Sequence, residues 1–232
     1  MIPKTIHYCW FGGKPKPELV QRCIASWEKF CPDFTIKEWN EENFDVKANA
    51  FTALMHKQGH WAFVADYVRL AALLNEGGVY LDTDMLLVQP LDNLLSNKIF
   101  LGEEEPGMIN VAAMGAEPHH PFIRTCKDFY DTHMTERITI PKVVTNIYNG
   151  IEDKNGIIVL PPAAFYPFGP TEIQHYKGQP LGSETYGVHL WNYSWGHPLN
   201  KFFKQLGIHT IGKKISEKLG IKEVLKKLLG FV

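Results

Sequence analysis

The stretch FVADYVRLAALLNEGGVYLDTDMLLV, running from Phe63 to Val88, decides how this chain is read. Through Leu74 it is apolar on nearly every side, the pattern of a helix buried in a core rather than lying on a surface. Two charges interrupt it, Asp66 and Arg69, and a spacing of three puts them on one helical face. Asn75, Gly77 and Gly78 supply a stop, because glycine tolerates the left-handed conformation in which helices end. Val79 to Val88 is then β-branched, aromatic and aliphatic, and the pattern predicts a strand with Asp82 and Asp84 in its middle.

Residues two apart on a strand share a face, so the two aspartates are expected to converge. Like charges held close raise each other's pKa or recruit a cation. All-oxygen ligation suits Mg²⁺ or Mn²⁺, which complete their shells with substrate phosphates. A bare Asp-x-Asp is more often a pair of solvated acids. Here it follows a polar pair in an apolar helix and a double-glycine turn, and that constellation favours chemistry. A calcium loop of the EF-hand type is excluded: it needs glycine and glutamate where this chain has Leu87 and Asn93.

The run Asp66-x-x-Arg69 with Gly77-Gly78-Val79-Tyr80-Leu81-Asp82-Thr83-Asp84 resembles the DXD region of glycosyltransferase family 32. That family takes in Och1-like mannosyltransferases, capsular-polysaccharide transferases and, more distantly, the catalytic domains of clostridial glucosylating toxins. The opening Ile2-Pro3-Lys4-Thr5-Ile6-His7-Tyr8-Cys9-Trp10-Phe11-Gly12-Gly13 and the late His189-x-Trp191-x-x-Ser194-Trp195 resemble it too. The resemblance implies an α/β domain of GT-A type, Rossmann-like, with a mostly parallel central sheet and flanking helices. It implies a retaining hexosyltransferase that uses Mn²⁺ or Mg²⁺, a nucleotide-sugar donor (UDP-sugar favoured, GDP-mannose the alternative) and a glycan or lipid-linked glycan acceptor such as a capsular intermediate. A non-catalytic sugar-binding protein on the same fold is the other alternative.

The same resemblance distributes roles. Asp84 is the expected direct metal ligand, Asp82 reaches the metal through water or touches the ribose, and His189 completes the shell; a structural hydrogen bond is the competing reading of that histidine. Asp66 and Arg69 are expected at the donor, the acid on sugar hydroxyls and the arginine, with Asp82 and Asp84, serving catalysis; the competing reading is an internal salt bridge. Tyr80, Asn110 and Trp191 are placed near the donor, and Trp10 is the candidate platform for the nucleobase, although strand tyrosines and tryptophans are more often packing. No residue stands out as a nucleophile.

Elsewhere the pattern is that of a parallel α/β sheet. Thr5 to Phe11 predicts a first strand, the stripe Leu19, Val20, Cys23, Ile24, Trp27 and Phe30 a helix, and Phe34 to Trp39 a second strand. Short strands are expected at 99–102, 110–114 and 157–160, and a helix from Pro121. Residues 163–185 read as a long loop, a candidate lid. A single domain is expected over 1–207 and a basic amphipathic tail over 208–232, suited to an anionic membrane or to packing on the domain or on a second subunit. Net charge is −1, with no basic run interleaved with aromatics, which argues against a nucleic-acid partner. Cys9, Cys23, Cys31 and Cys126 lack C-x-x-C spacing and read as reduced thiols of a cytoplasmic protein, peripheral on the membrane if the tail binds it.

Overall fold

Thr5–Cys9 (β1) is the strand around which the sheet is laid, with Thr35–Trp39 (β2) and Gly78–Leu81 (β3) both parallel to it on either side. In this computed structural model, which describes residues 1–133 and 138–192, the sheet continues through Met108–Ala116 (β6), Ile99–Glu105 (β5) and Ile157–Leu160 (β7). Its order is β2-β1-β3-β6-β5-β7. Only β6 runs against the rest, pairing antiparallel with β3 and β5, while β5 and β7 are again parallel. A second, two-stranded sheet pairs Met85–Leu87 (β4) antiparallel with Gly187–His189 (β8).

Among the described residues five α-helices cover the sheet: α1 (Glu18–Phe30), α2 (Ala50–Lys57), α3 (Trp61–Glu76), α4 (Pro121–Thr132) and α5 (Ile140–Gly150). Helix α3 is buried continuously from Asp66 to Leu74, as its apolar run requires. Gly77, at φ 66°, ends it, and Gly78, at φ 100°, starts β3. A side chain at Gly78 would put its Cβ 2.7 Å from the Thr5 carbonyl oxygen, so the close approach of β1 and β3 depends on glycine here.

One expectation is corrected. The strand predicted across Val79 to Val88 is two strands in two sheets, because the chain turns at Asp82–Asp84: the Asp82 N–H donates to Ala112 (2.7 Å) and the Met85 N–H comes back to the Asp82 carbonyl (2.9 Å). A turn lets two acids share polar partners that a strand interior would deny them. Residues 163–185 hold no α-helix or strand, as a long loop should, and the loop is anchored at its start: Phe165 and Tyr166 are buried, and the Tyr186 and His189 N–H groups bond back to Ala164 and Phe165. Helix α5 was not expected, although Ile140, Val143, Val144 and Ile147 recur at helical spacing; its β-branched residues have low helix propensity, and burial against β6 overrides that. The chain divides into one compact unit over Met1–Trp191 and a second from Asn192. The tail over 208–232, Ser194 and Trp195 lie outside the described residues.

Candidate active site

Arg69, projecting from the buried α3, organises the charges at the end of β3. Its guanidinium donates to Asp66 Oδ1 (2.9 Å) and to the Val111 carbonyl on β6 (2.9 Å), and lies 3.2 Å from Asp82 Oδ1. The face of the group rests 4.5 Å above the Tyr80 ring centroid. Asp66 and Arg69 thus form an internal salt bridge, and its third member, Asp82, reaches into the site with its side chain 30% exposed. Desolvation works against the charge on Arg69, and the surrounding groups, Asp82 first and then Tyr80 and Asp66, together outweigh it. Burial pushes the Asp66 carboxyl up to about 7 against the pull of Arg69, because two acids share one guanidinium.

Asp84 turns the other way, toward β8. Its Oδ1 is 3.2 Å from His189 Nε2. The pairing of β4 with β8 sets Met85 opposite His189, and the Leu190 N–H donates to the Asp84 carbonyl (2.9 Å), so a three-residue strand carries the histidine to the turn. Asp82, Asp84 and His189 each bring one ligand atom to within 4.8 Å of the others. Burial alone would lower the His189 pKa; Asp84, first by its charge and then by the hydrogen bond, raises it. The other ring nitrogen, Nδ1, is buried and has no hydrogen-bond partner among the described residues. Trp191 meets the imidazole edge-on, ring centroids 4.3 Å apart; it sits at φ 52°, and its indole N–H donates to the Phe168 carbonyl (2.7 Å).

The donor set fits a divalent cation. Two carboxylates and an imidazole converge at one partly buried point, with Arg69 shared between Asp82 and Asp66, and oxygen and imidazole donors of this kind suit a divalent cation.

The remaining expected site residues fall around this centre. Trp10 lies just beyond the end of β1, half-buried, its indole N–H donating to the Lys14 carbonyl (2.6 Å). Beside it the Gly12 N–H donates to Glu41 (2.7 Å) and Trp61 packs on the Gly12 backbone. Tyr80 is 2% exposed and lies under Arg69. Asn110 is engaged at both ends of its amide: it donates to Glu104 Oε2 (2.6 Å) and accepts from the Ala112 N–H (2.9 Å). The sequence reading did not single out Tyr166. Its hydroxyl donates to the Asn110 carbonyl (3.1 Å) and its ring contacts both His189 and Trp191. It lies in the stretch read as a loop, where no periodicity marks a buried tyrosine.

Residues 17–101 match the family described as the glycosyltransferase sugar-binding region containing a DXD motif. The fold is the GT-A glycosyltransferase fold. It superimposes on the PaToxG glycosyltransferase with a TM-score of 0.52 at 20% identity, over 65% of this chain and 69% of that one. Among curated proteins the chain is 31% identical to the lactosylceramide 4-alpha-galactosyltransferases of Pan troglodytes and Homo sapiens, over 58% of this chain and 44% of each of them. It is 27% identical to the human alpha-1,4-N-acetylglucosaminyltransferase over the same shares. The chain therefore spans less than half the length of these relatives.

Proposed function

We propose that this chain is a metal-dependent glycosyltransferase that moves a hexose from a UDP-sugar to a glycan acceptor, with retention at the anomeric carbon. The observation that carries the proposal is the convergence of Asp82 and Asp84, within the DXD region, with His189 from β8, inside a GT-A fold. Two carboxylates with an imidazole suit Mn²⁺ better than Mg²⁺, which takes carboxylates, phosphates and water. When bound, the ion would neutralise charge growing on the departing diphosphate.

The protein's own groups do the positioning. Arg69, clamped by Asp66 and Val111, fixes the rotamer of Asp82. Trp191 and Tyr166 pack the His189 ring so that it faces Asp84. Trp10, beyond the carboxyl end of a parallel strand, stands where nucleotides bind in such sheets and is the proposed base platform. No side chain is assigned as nucleophile, which accords with attack on the face that the phosphate leaves.

Relatives named for 4-alpha-galactosyl and alpha-1,4-N-acetylglucosaminyl transfer support a galactose-type donor and an α-linked product. Common UDP-hexoses carry the sugar in α linkage, so an α product means retention. The acceptor is proposed to be a surface glycan met at the cytoplasmic membrane face through the basic tail. Calorimetric titration of UDP and GDP, each with Mn²⁺ and with EDTA, tests the donor site. UDP should bind only with Mn²⁺, and Asp84→Ala should abolish that binding. Binding of GDP alone would transfer the proposal to GDP-mannose, and silence from both nucleotides would overturn it.

A further inference from the structure

Away from the cluster a cavity of about 670 Å³ opens between α1, β4 and the segment from Tyr176 to Thr185. That volume lies within the roughly 300–1,000 Å³ of small-molecule sites. Its walls are pinned. The Leu87 N–H donates to Ser26 Oγ (3.0 Å) and the Trp27 indole to the Met85 carbonyl (2.7 Å), which rivets α1 to β4. Across the floor, Gln89 Nε2 donates to the Ser183 carbonyl (2.9 Å), tying the outer segment down.

The charge of the lining is one-sided. Arg22 and Lys29, seven apart on α1, both face the cavity, and none of its lining residues is an aspartate or glutamate. Some cations of the chain are paired, among them Lys16 with Glu38, Lys37 with Glu76 and Lys127 with Asp131. Arg22 and Lys29 have no such ion pair among the described residues. Between them the wall carries hydroxyl and amide groups, from Tyr176, Gln179 and Ser183, and apolar surface from Phe30 and Leu181. This is the mixture a sugar ring uses, polar groups for its hydroxyls and flat apolar faces for its C–H surface.

The cavity lies near the DXD turn in sequence: Leu86, which lines it, is two residues past Asp84, about 7 Å along the backbone at strand rise. We infer that this cavity is an acceptor subsite for an anionic saccharide, a sugar bearing a carboxylate or a phosphate that Arg22 and Lys29 hold. The word acceptor rests on the transferase reading above; the anionic-saccharide site does not.

Calorimetric or saturation-transfer titrations with cellobiose, cellobiouronic acid and cellobiose 6′-phosphate test it, the two acidic probes separating a carboxylate from a phosphate. At least one acidic probe should bind tighter than cellobiose. The double variant Arg22→Gln, Lys29→Gln should lose roughly tenfold in affinity for that probe, about 1.4 kcal/mol, and leave cellobiose and UDP–Mn²⁺ binding unchanged. Removing two charges elsewhere, by Lys57→Gln with Lys154→Gln, should leave all three probes unchanged. Equal binding of the three probes, no binding of either acidic one, or equal loss in both double variants would overturn the inference. Retained acidic-probe binding with no nucleotide binding would instead overturn the transferase reading and keep the site.

Discussion

Arg69 is where the residue scale is most exposed to test. It is 5% exposed and holds Asp66, Asp82 and the Val111 carbonyl together, so its removal leaves two acids and a carbonyl with no counter-group. Arg69→Met should cost about 3–5 kcal/mol in urea unfolding, the typical penalty for breaking a buried pair from one side. Adding Asp66→Asn should restore part of it; a double variant no more stable than the single would contradict the shared-guanidinium account. The i,i+3 spacing made this pair legible, whereas the Val111 contact was not, being 42 residues away on a strand whose register no local pattern fixes.

His7 offers a second residue-scale test, by pH. The Trp39 indole donates to its Nδ1 (3.1 Å), so Nε2 carries the proton and donates to the Gly77 carbonyl (2.8 Å). The neutral ring satisfies both partners, and burial lowers the His7 pKa below its ordinary 6.5. In the unfolded chain the ring takes up a proton near 6.5 that the fold refuses. The stabilisation is therefore full above pH 6.5 and is lost as pH falls through the folded pKa. His7→Gln, which can donate and accept at similar positions, should flatten the fall in unfolding free energy between pH 7.5 and 5. A variant with the wild-type slope would remove His7 as its cause.

At the scale of elements, the double glycine after α3 governs how β3 enters the sheet. Both glycines adopt positive φ, and a methyl on Gly78 would meet the Thr5 carbonyl oxygen at 2.7 Å and the His7 ring at 3.0 Å. Gly78→Ala should cost about 2 kcal/mol or more, combining backbone strain with overpacking, read as a lower urea midpoint at constant m-value. An unchanged midpoint would mean that the β1–β3 contact gives way easily. This turn was legible because glycine pairs after an apolar helix have few other uses. The break after Leu81 was not: Asp82, Thr83 and Asp84 look the same in sequence whether they continue a strand or turn. Strand β8 was invisible for a related reason. Three residues carry no period, and only pairing with β4 makes them a strand.

For the whole molecule, the cluster lies where the two sheets meet. Asp82 follows β3 of the six-stranded sheet, Asp84 precedes β4 of the two-stranded one, and His189 ends β8. A cation held by all three would link the sheets, so its binding energy would appear as stability of the unit over Met1–Trp191 as well as occupancy of a site. At a hundredfold excess over its dissociation constant a ligand adds about 2.7 kcal/mol. In a domain of this size that is a rise in Tm of roughly 5–10 °C. Mn²⁺ should raise the wild-type Tm by that order and slow hydrogen exchange at the His189 amide, which bonds to the Phe165 carbonyl. Asp84→Asn keeps a hydrogen-bonding partner for His189 but takes one charge from the ligand set, and should lose most of both effects. An equal Tm shift in wild type and variant would put the binding elsewhere on the chain and remove the cluster as the metal centre.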